Sequence, residues 1–188
     1  MARPLSVAGY PVWGVYSGLG VFVALLAFAS DRLHKWWTLN ILDLPTIGRI
    51  SLTQNFDLIM AWNKGVSYGL FQAETTVGRV GLVVFALAIV IGLGLWLARV
   101  EKRAVALAIG LIIGGALGNV LDRAIYGAVA DFFSFHAFGF YWYIFNVADI
   151  WIAVGVGLIL LESFVPTLFG PGGEENSGDD GSTGPQNP

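Results

Sequence analysis

The chain has 188 residues, 56% of them apolar, 14% aromatic and only 12% charged, and its mean hydropathy is +0.71. A charged fraction near half of the ~25% usual in soluble domains marks a polytopic membrane protein, read here as one domain over 1–169. Glu174, Glu175, Asp179 and Asp180 account for the net charge of −3, so the rest is near neutral and argues against nucleic-acid binding; the lack of cysteine excludes disulfides, thiolate nucleophiles and cysteine-based metal sites.

Residues 1–11 read as a short leader carrying Arg3, and no cleavage site follows, so the next apolar run is taken as a retained helix. That run, 12–30, is uncharged over 19 residues, enough for about 30 Å at 1.5 Å per residue, and is the first expected span. It ends in Asp31-Arg32-Leu33-His34-Lys35-Trp36-Trp37, where the spacing of Asp31 and Lys35 predicts a helix-end ion pair beside an aromatic anchor. Residues 38–78 are too polar to span. In that stretch Ile50 and Leu52, then Phe56, Leu58 and Met60, alternate with polar neighbours, which predicts short strands with one buried face. Asn63-Lys64-Gly65 reads as a hairpin turn, on a small sheet that could add a peptide as a further strand.

Further spans are expected over 80–98, 104–121 and 144–164. On the third, Gly110, Gly114 and Gly118 recur every four residues, a stripe that admits close approach of another helix. Residues 132–144 hold eight aromatics in 13 positions and predict an interfacial belt or an apolar flap; His136 among them is read as a bystander. Asp149 is expected five residues into the fourth span. Pro166 should end that span, and 170–188 should form a disordered acidic tail. With four spans both termini share a side. The dense basic turn of Arg99, Lys102 and Arg103 is weighted as cytoplasmic, over six basic residues spread across the opposite side.

The polar residues of 114–149 need a reason for being there. Asp122, Asp131, Asp149, Asn119, Asn146 and Arg123 stand in otherwise membrane-grade sequence, where an unpaired polar group costs several kcal/mol. The third and fourth spans would deliver Asp122 and Asp149 to one face, with Asp131 between them. Two close carboxylates cannot both ionise cheaply, so a pair sharing one proton can activate water towards a peptide carbonyl. The same groups would serve a small proton-coupled transporter as a relay, and the glycine stripe would serve an assembly protein. No metal-ligand spacing appears, and no cofactor is expected.

Five blocks in order move this balance: Asp31-x-x-x-Lys35, Asn63-x-Gly65, Gly118-Asn119-x-x-Asp122-Arg123, Asp131-Phe132, and Phe145-Asn146-x-Ala148-Asp149. With them the chain resembles the lipoprotein signal peptidase family (signal peptidase II) over nearly all of 10–165. The resemblance implies a helical membrane fold of four spans with a small antiparallel β-cradle on the outer, periplasmic side of a bacterial inner membrane. It implies an aspartyl endopeptidase, with no cofactor and as a monomer, that removes the signal peptide from diacylglyceryl-modified prolipoproteins just before the lipidated cysteine. By position Asp131 and Asp149 would be the catalytic dyad. Asp122 and Arg123 would be a supporting pair, Asn63, Gly65, Asn119 and Asn146 would contact substrate or orient the dyad, and Asp31 and Lys35 would brace the first helix. Val66-Ser67-Tyr68 and Ala130 depart from the family's usual residues, and both departures are read as changes in pocket lining that bear on substrate preference.

Overall fold

The computed structural model describes residues 5–7, 10–65 and 75–165; Val66-Ser67-Tyr68, Pro166 and the tail at 170–188 lie outside these residues. Strand β1 (Leu5–Val7) pairs antiparallel with β2 (Tyr10–Trp13), so the helix expected from residue 12 begins only at Ser17. The Gly14 N–H donates to the Ser17 hydroxyl at 2.8 Å where the chain turns into that helix. Helix α1 (Ser17–Trp36) then runs through Asp31 and Lys35, past the predicted end at residue 30. It can do so because both charges are paired inside the protein, at 0% and 2% exposure, and so do not need water.

A π-helical turn (Trp37–Ile41) and a short α2 (Leu44–Ile47) lead into β3 (Arg49–Ser51) and β4 (Phe56–Asn63). Helix α3 (Thr76–Leu97) is capped by Thr75, whose hydroxyl accepts the Gly78 N–H at 3.1 Å. Helix α4 (Arg103–Ile125) follows, then β5 (Val129–Ala137), β6 (Phe140–Tyr141) and α5 (Val147–Phe164). Among the described residues three helices, α3, α4 and α5, are long and apolar enough to cross a membrane. Helix α1 has the length, 20 residues, but carries Asp31, Arg32 and Lys35 in its last two turns.

Helix α4 is the centre of the bundle, and its glycines set the spacing. A Cβ on Gly110 would lie 2.5 Å from the Gly20 carbonyl oxygen, and one on Gly114 would lie 2.4 Å from that of Ala24. On Gly118 it would meet an Asp31 carboxylate oxygen at 2.5 Å. The stripe predicted to admit a helix therefore admits α1 of the same chain. On the other side Gly115 faces the Ala148 carbonyl, and Gly155 of α5 faces that of Ala108, so α5 is equally close. We expect Gly114→Val to force α1 and α4 apart. Overpacking of this kind costs about 1–3 kcal/mol, to be read as a lowered Tm of the purified protein in detergent. Helix α3 is peripheral: of its residues only Leu97 is buried, joining Val100, Val105, Ala106 and Ile109 in an apolar cluster.

The strands predicted from alternation at 50–60 are β3 and β4, and with β5 and β6, which alternation did not predict, they form a four-stranded antiparallel sheet ordered β3-β4-β5-β6. Leu44, Ala130 and Phe132 are fully buried beneath it. The aromatic run at 132–144 is accordingly not one belt. Phe132 is core, whereas Phe138, Phe140, Tyr141 and Trp142 are exposed at and beyond the hairpin tip, where β5 has run past its pairing with β4 and meets only the two-residue β6. His136 bonds Asp57 at 2.8 Å and stacks on Tyr141, at the opposite end of the β4–β5 ladder from Asp131. Arg49 completes that ion pair with Asp57, and the Ser51 hydroxyl helps hold the Asp57 carboxyl below the usual carboxylate range.

Candidate active site

Asp131 lies early on β5, opposite Ala61. The β4 strand carries an irregularity between Leu58 and Ala61, one residue more than β5 spends over the same stretch. Beyond it Asn63 pairs with Val129, which puts the Asn63 and Asp131 side chains diagonally on one face of the sheet. There the Asn63 amide donates to Asp131 Oδ2 at 3.0 Å. The Gly65 N–H donates to Asn63 Oδ1 at 3.0 Å, a local side-chain turn in place of the expected hairpin, since β4 is flanked by β3 and β5, and it fixes which way the amide points.

Asp149 does not sit five residues into its helix. It is the third residue of α5, and Asn146 is the N-cap. The Asp149 N–H donates to Asn146 Oδ1 at 3.1 Å, and the Asn146 N–H donates to Asp149 Oδ2 at 3.1 Å, a reciprocal capping box. The remaining Asn146 amide donates to Asp131 Oδ1 at 2.6 Å and to Asn119 Oδ1 at 3.2 Å. Asn119, from α4, donates to Asp149 Oδ1 at 2.9 Å. Each carboxylate therefore receives two N–H donors, and one residue, Asn146, serves both.

Asn63, Gly65, Asn119, Arg123, Val129, Asp131, Tyr143 and Asp149 line one polar cavity of about 170 Å³. Val129 and Tyr143 were not expected there; neither stands in a polar motif, and no signal in the sequence separates them from the other apolar and aromatic residues. Burial and the Asp149 carboxylate beside it push the Asp131 carboxyl up to about 7. Ala130, expected to line the pocket, instead points into the Leu44–Phe132 core, because it is the neighbour of Asp131 on a strand.

The expected Asp122–Arg123 pair separates. Arg123 donates to the Gly65 carbonyl at 2.8 Å and lines the cavity. Asp122, on the preceding position of the same helix, is fully buried and binds Lys35 at 2.7 Å and Arg32 at 2.5 Å. The Asp31–Lys35 pair, expected as a helix-end ion pair, forms at 3.1 Å and is buried, and Lys35 also reaches Asn119 Oδ1 at 3.3 Å. Arg32 completes this group, a residue the motif pattern passes over because an arginine beside a helix end reads as surface.

Comparison with known proteins gives the lineage. The profile of the family described as Signal peptidase (SPase) II matches residues 23–165. A "Lipoprotein signal peptidase" of Methylobacterium radiotolerans is 56% identical over 147 residues, 78% of this chain and 86% of the relative. The protein of the same description in Beijerinckia indica is 42% identical over 160 residues, 85% of this chain and 96% of the relative. A solved bacterial membrane enzyme superposes with a TM-score of 0.68 at 24% identity, over 84% of this chain and 94% of that one. That last likeness concerns the fold.

Proposed function

This chain belongs to the signal peptidase II family, and we propose that it is the aspartyl peptidase that removes signal peptides from diacylglyceryl-modified prolipoproteins, cutting just before the lipidated cysteine. The observation that carries this reading is the gathering of Asp131 and Asp149, 18 positions apart, into one polar cavity with donors on every carboxylate oxygen. The two share one proton. One carboxyl of the pair holds it, a state favoured by the rise of Asp131 to about 7, while the other, as carboxylate, deprotonates a water for attack on the scissile carbonyl. The held proton then passes to the carbonyl oxygen as the tetrahedral centre forms. Arg123, Asn63 and Asn119 offer hydrogen bonds to a locally unwound peptide, whose freed amides find no water in lipid.

A transporter relay has less in its favour. Neither 104–121 on α4 nor 150–161 on α5 contains an ionisable residue to continue a path from the cavity along the bundle. Purified enzyme in lipid, incubated with a diacylglyceryl precursor peptide, should release one product ending before the modified cysteine; proton flux without a peptide product would reverse the assignment. Its rate should follow a bell in pH. The alkaline limb should appear where the pair loses its shared proton, around the value of about 7 to which Asp131 is pushed, and the acid limb where both carboxyls are protonated; both limbs belong to the coupled pair. A rate flat from pH 5 to 9 would count against the shared proton.

In the membrane, α1 serves as the fourth span, with the charged end of that helix and the sheet at the outer face of a bacterial inner membrane. Both termini and the Arg99–Arg103 turn then lie in the cytoplasm, and the enzyme acts as a monomer. The cysteine-free sequence allows a direct check. In intact spheroplasts Thr53→Cys should react with an impermeant thiol reagent and Glu101→Cys should not. The reverse pattern would invert the topology.

A further inference from the structure

Four charges sit beneath the cavity in an alternating ring. Arg32 Nη2 reaches Asp31 Oδ2 at 3.1 Å and Asp122 Oδ1 at 2.5 Å, and Lys35 Nζ reaches Asp31 Oδ2 at 3.1 Å and Asp122 Oδ2 at 2.7 Å. Asp31 and Asp122 are fully buried, Lys35 is 2% exposed and Arg32 is 20% exposed. Two carboxylates against two cations leave the ring neutral, and without Arg32 it would carry one uncompensated negative charge. The two carboxylates also reach outwards. Asp31 Oδ1 accepts the Ala148 N–H at 3.1 Å and Asp122 Oδ2 accepts the Ala130 N–H at 3.2 Å. Those amides belong to the residues immediately before Asp149 and Asp131.

We propose that Arg32 is a positioning residue for the dyad: with Lys35 it neutralises the Asp31–Asp122 pair, which in turn holds the backbone directly ahead of both cavity aspartates. This inference rests on the peptidase reading above. It assigns Arg32 a part that no motif block gives it. Besides its own four members, the ring interacts with His34 from α1, Arg123 from α4, Asp131 from β5 and Asp149 from α5. A charge lost from the ring is therefore felt by the dyad directly, and through the Lys35–Asn119–Asp149 hydrogen bonds.

The test is the pH profile of precursor cleavage by purified, lipid-reconstituted enzyme. Arg32→Gln leaves the ring with one excess negative charge, which favours protonated carboxyls nearby, so the alkaline limb should move up by roughly half to one pH unit. Arg32→Lys keeps the charge and should keep the limb in place. Arg32→Gln combined with Asp122→Asn is neutral again and should return the limb to its original position, even if the maximal rate is lowered. A merely structural brace would lower the rate at every pH and leave the limb unmoved in Arg32→Gln, and that result would overturn the proposal. Should Arg32→Gln not fold, a limb in the double variant displaced from that of the unsubstituted enzyme would overturn it equally. Asp131→Asn and Asp149→Asn, assayed beside them, keep the two readings apart. If both are inactive while the Arg32 variants show no shift, only the positioning role falls, and if either is fully active the peptidase assignment falls first.

Discussion

Asp131→Asn and Asp149→Asn are each expected to lower precursor cleavage by at least about a thousandfold, towards the upper end of what general acid–base catalysis contributes. Asparagine matches aspartate in size but can neither take a proton from water nor share one across the pair. Membrane insertion and abundance should change little. Asp131 sits in β5 with the Asn63 and Asn146 amides as its donors, and an asparagine oxygen can still accept one of them. Asp149 differs slightly, because its carboxylate also closes the capping box of α5, so its asparagine variant should lose some Tm while keeping the helix. Asp122→Asn is the informative contrast. Its side chain faces Lys35, Arg32 and the Ala130 N–H and does not line the cavity, so it should retain measurable turnover. Full activity in Asp131→Asn beside an inactive Asp122→Asn would transfer the chemistry to α4.

Asn146→Ala should be the most damaging change outside the dyad. This residue is fully buried, caps α5, and donates to both Asp131 and Asn119. Loss of the cap, which leaves the Asp149 N–H unpaired, costs about 1–2 kcal/mol. The cavity also loses the one group that holds both carboxylates in register, for which a fall of about a hundredfold in turnover is expected, the scale of ~2.7 kcal/mol in barrier height. Asn146→Ser separates the two effects. A serine hydroxyl can cap the helix but does not replace the amide reaching Asp131, so Tm should recover while turnover stays low. If serine restored turnover together with Tm, Asn146 would be a helix cap only.

Much of the site was legible because polar groups in apolar sequence are expensive and few. Asp131, Asp149, Asn119 and Asn146 stand out for that reason, Asn63 only through the family resemblance, and the fold gathers all five. The glycine stripe was legible for a similar reason, since Gly110, Gly114 and Gly118 give up helix propensity and need compensation in packing. The Asn146-x-x-Asp149 spacing before an apolar run was also readable as a capping box, which would have moved Asp149 to the first turn of its helix. Other features had no local sign. A run of Asp, Arg and Lys after an apolar stretch looks the same whether the helix leaves the membrane or continues into a buried ion cluster, so α1 was expected to end at residue 30 and runs to Trp36.

By itself, then, the sequence determined the membrane class, the apolar helices and the short strands, because hydrophobic content and periodicity are local properties that burial acts on directly. It also determined the inventory of polar residues that the fold would have to satisfy. Only the tertiary structure decided how that inventory was shared out. Asp122 and Arg123 are neighbours in sequence yet face different partners, and Arg32 reaches Asp122 across 90 positions. That division depends on how closely α1 and α5 approach α4. The approach is set by missing side chains at Gly110, Gly114, Gly115, Gly118 and Gly155, and Coulomb and hydrogen-bond energies inside the bundle turn on differences of an ångström that no residue spacing encodes.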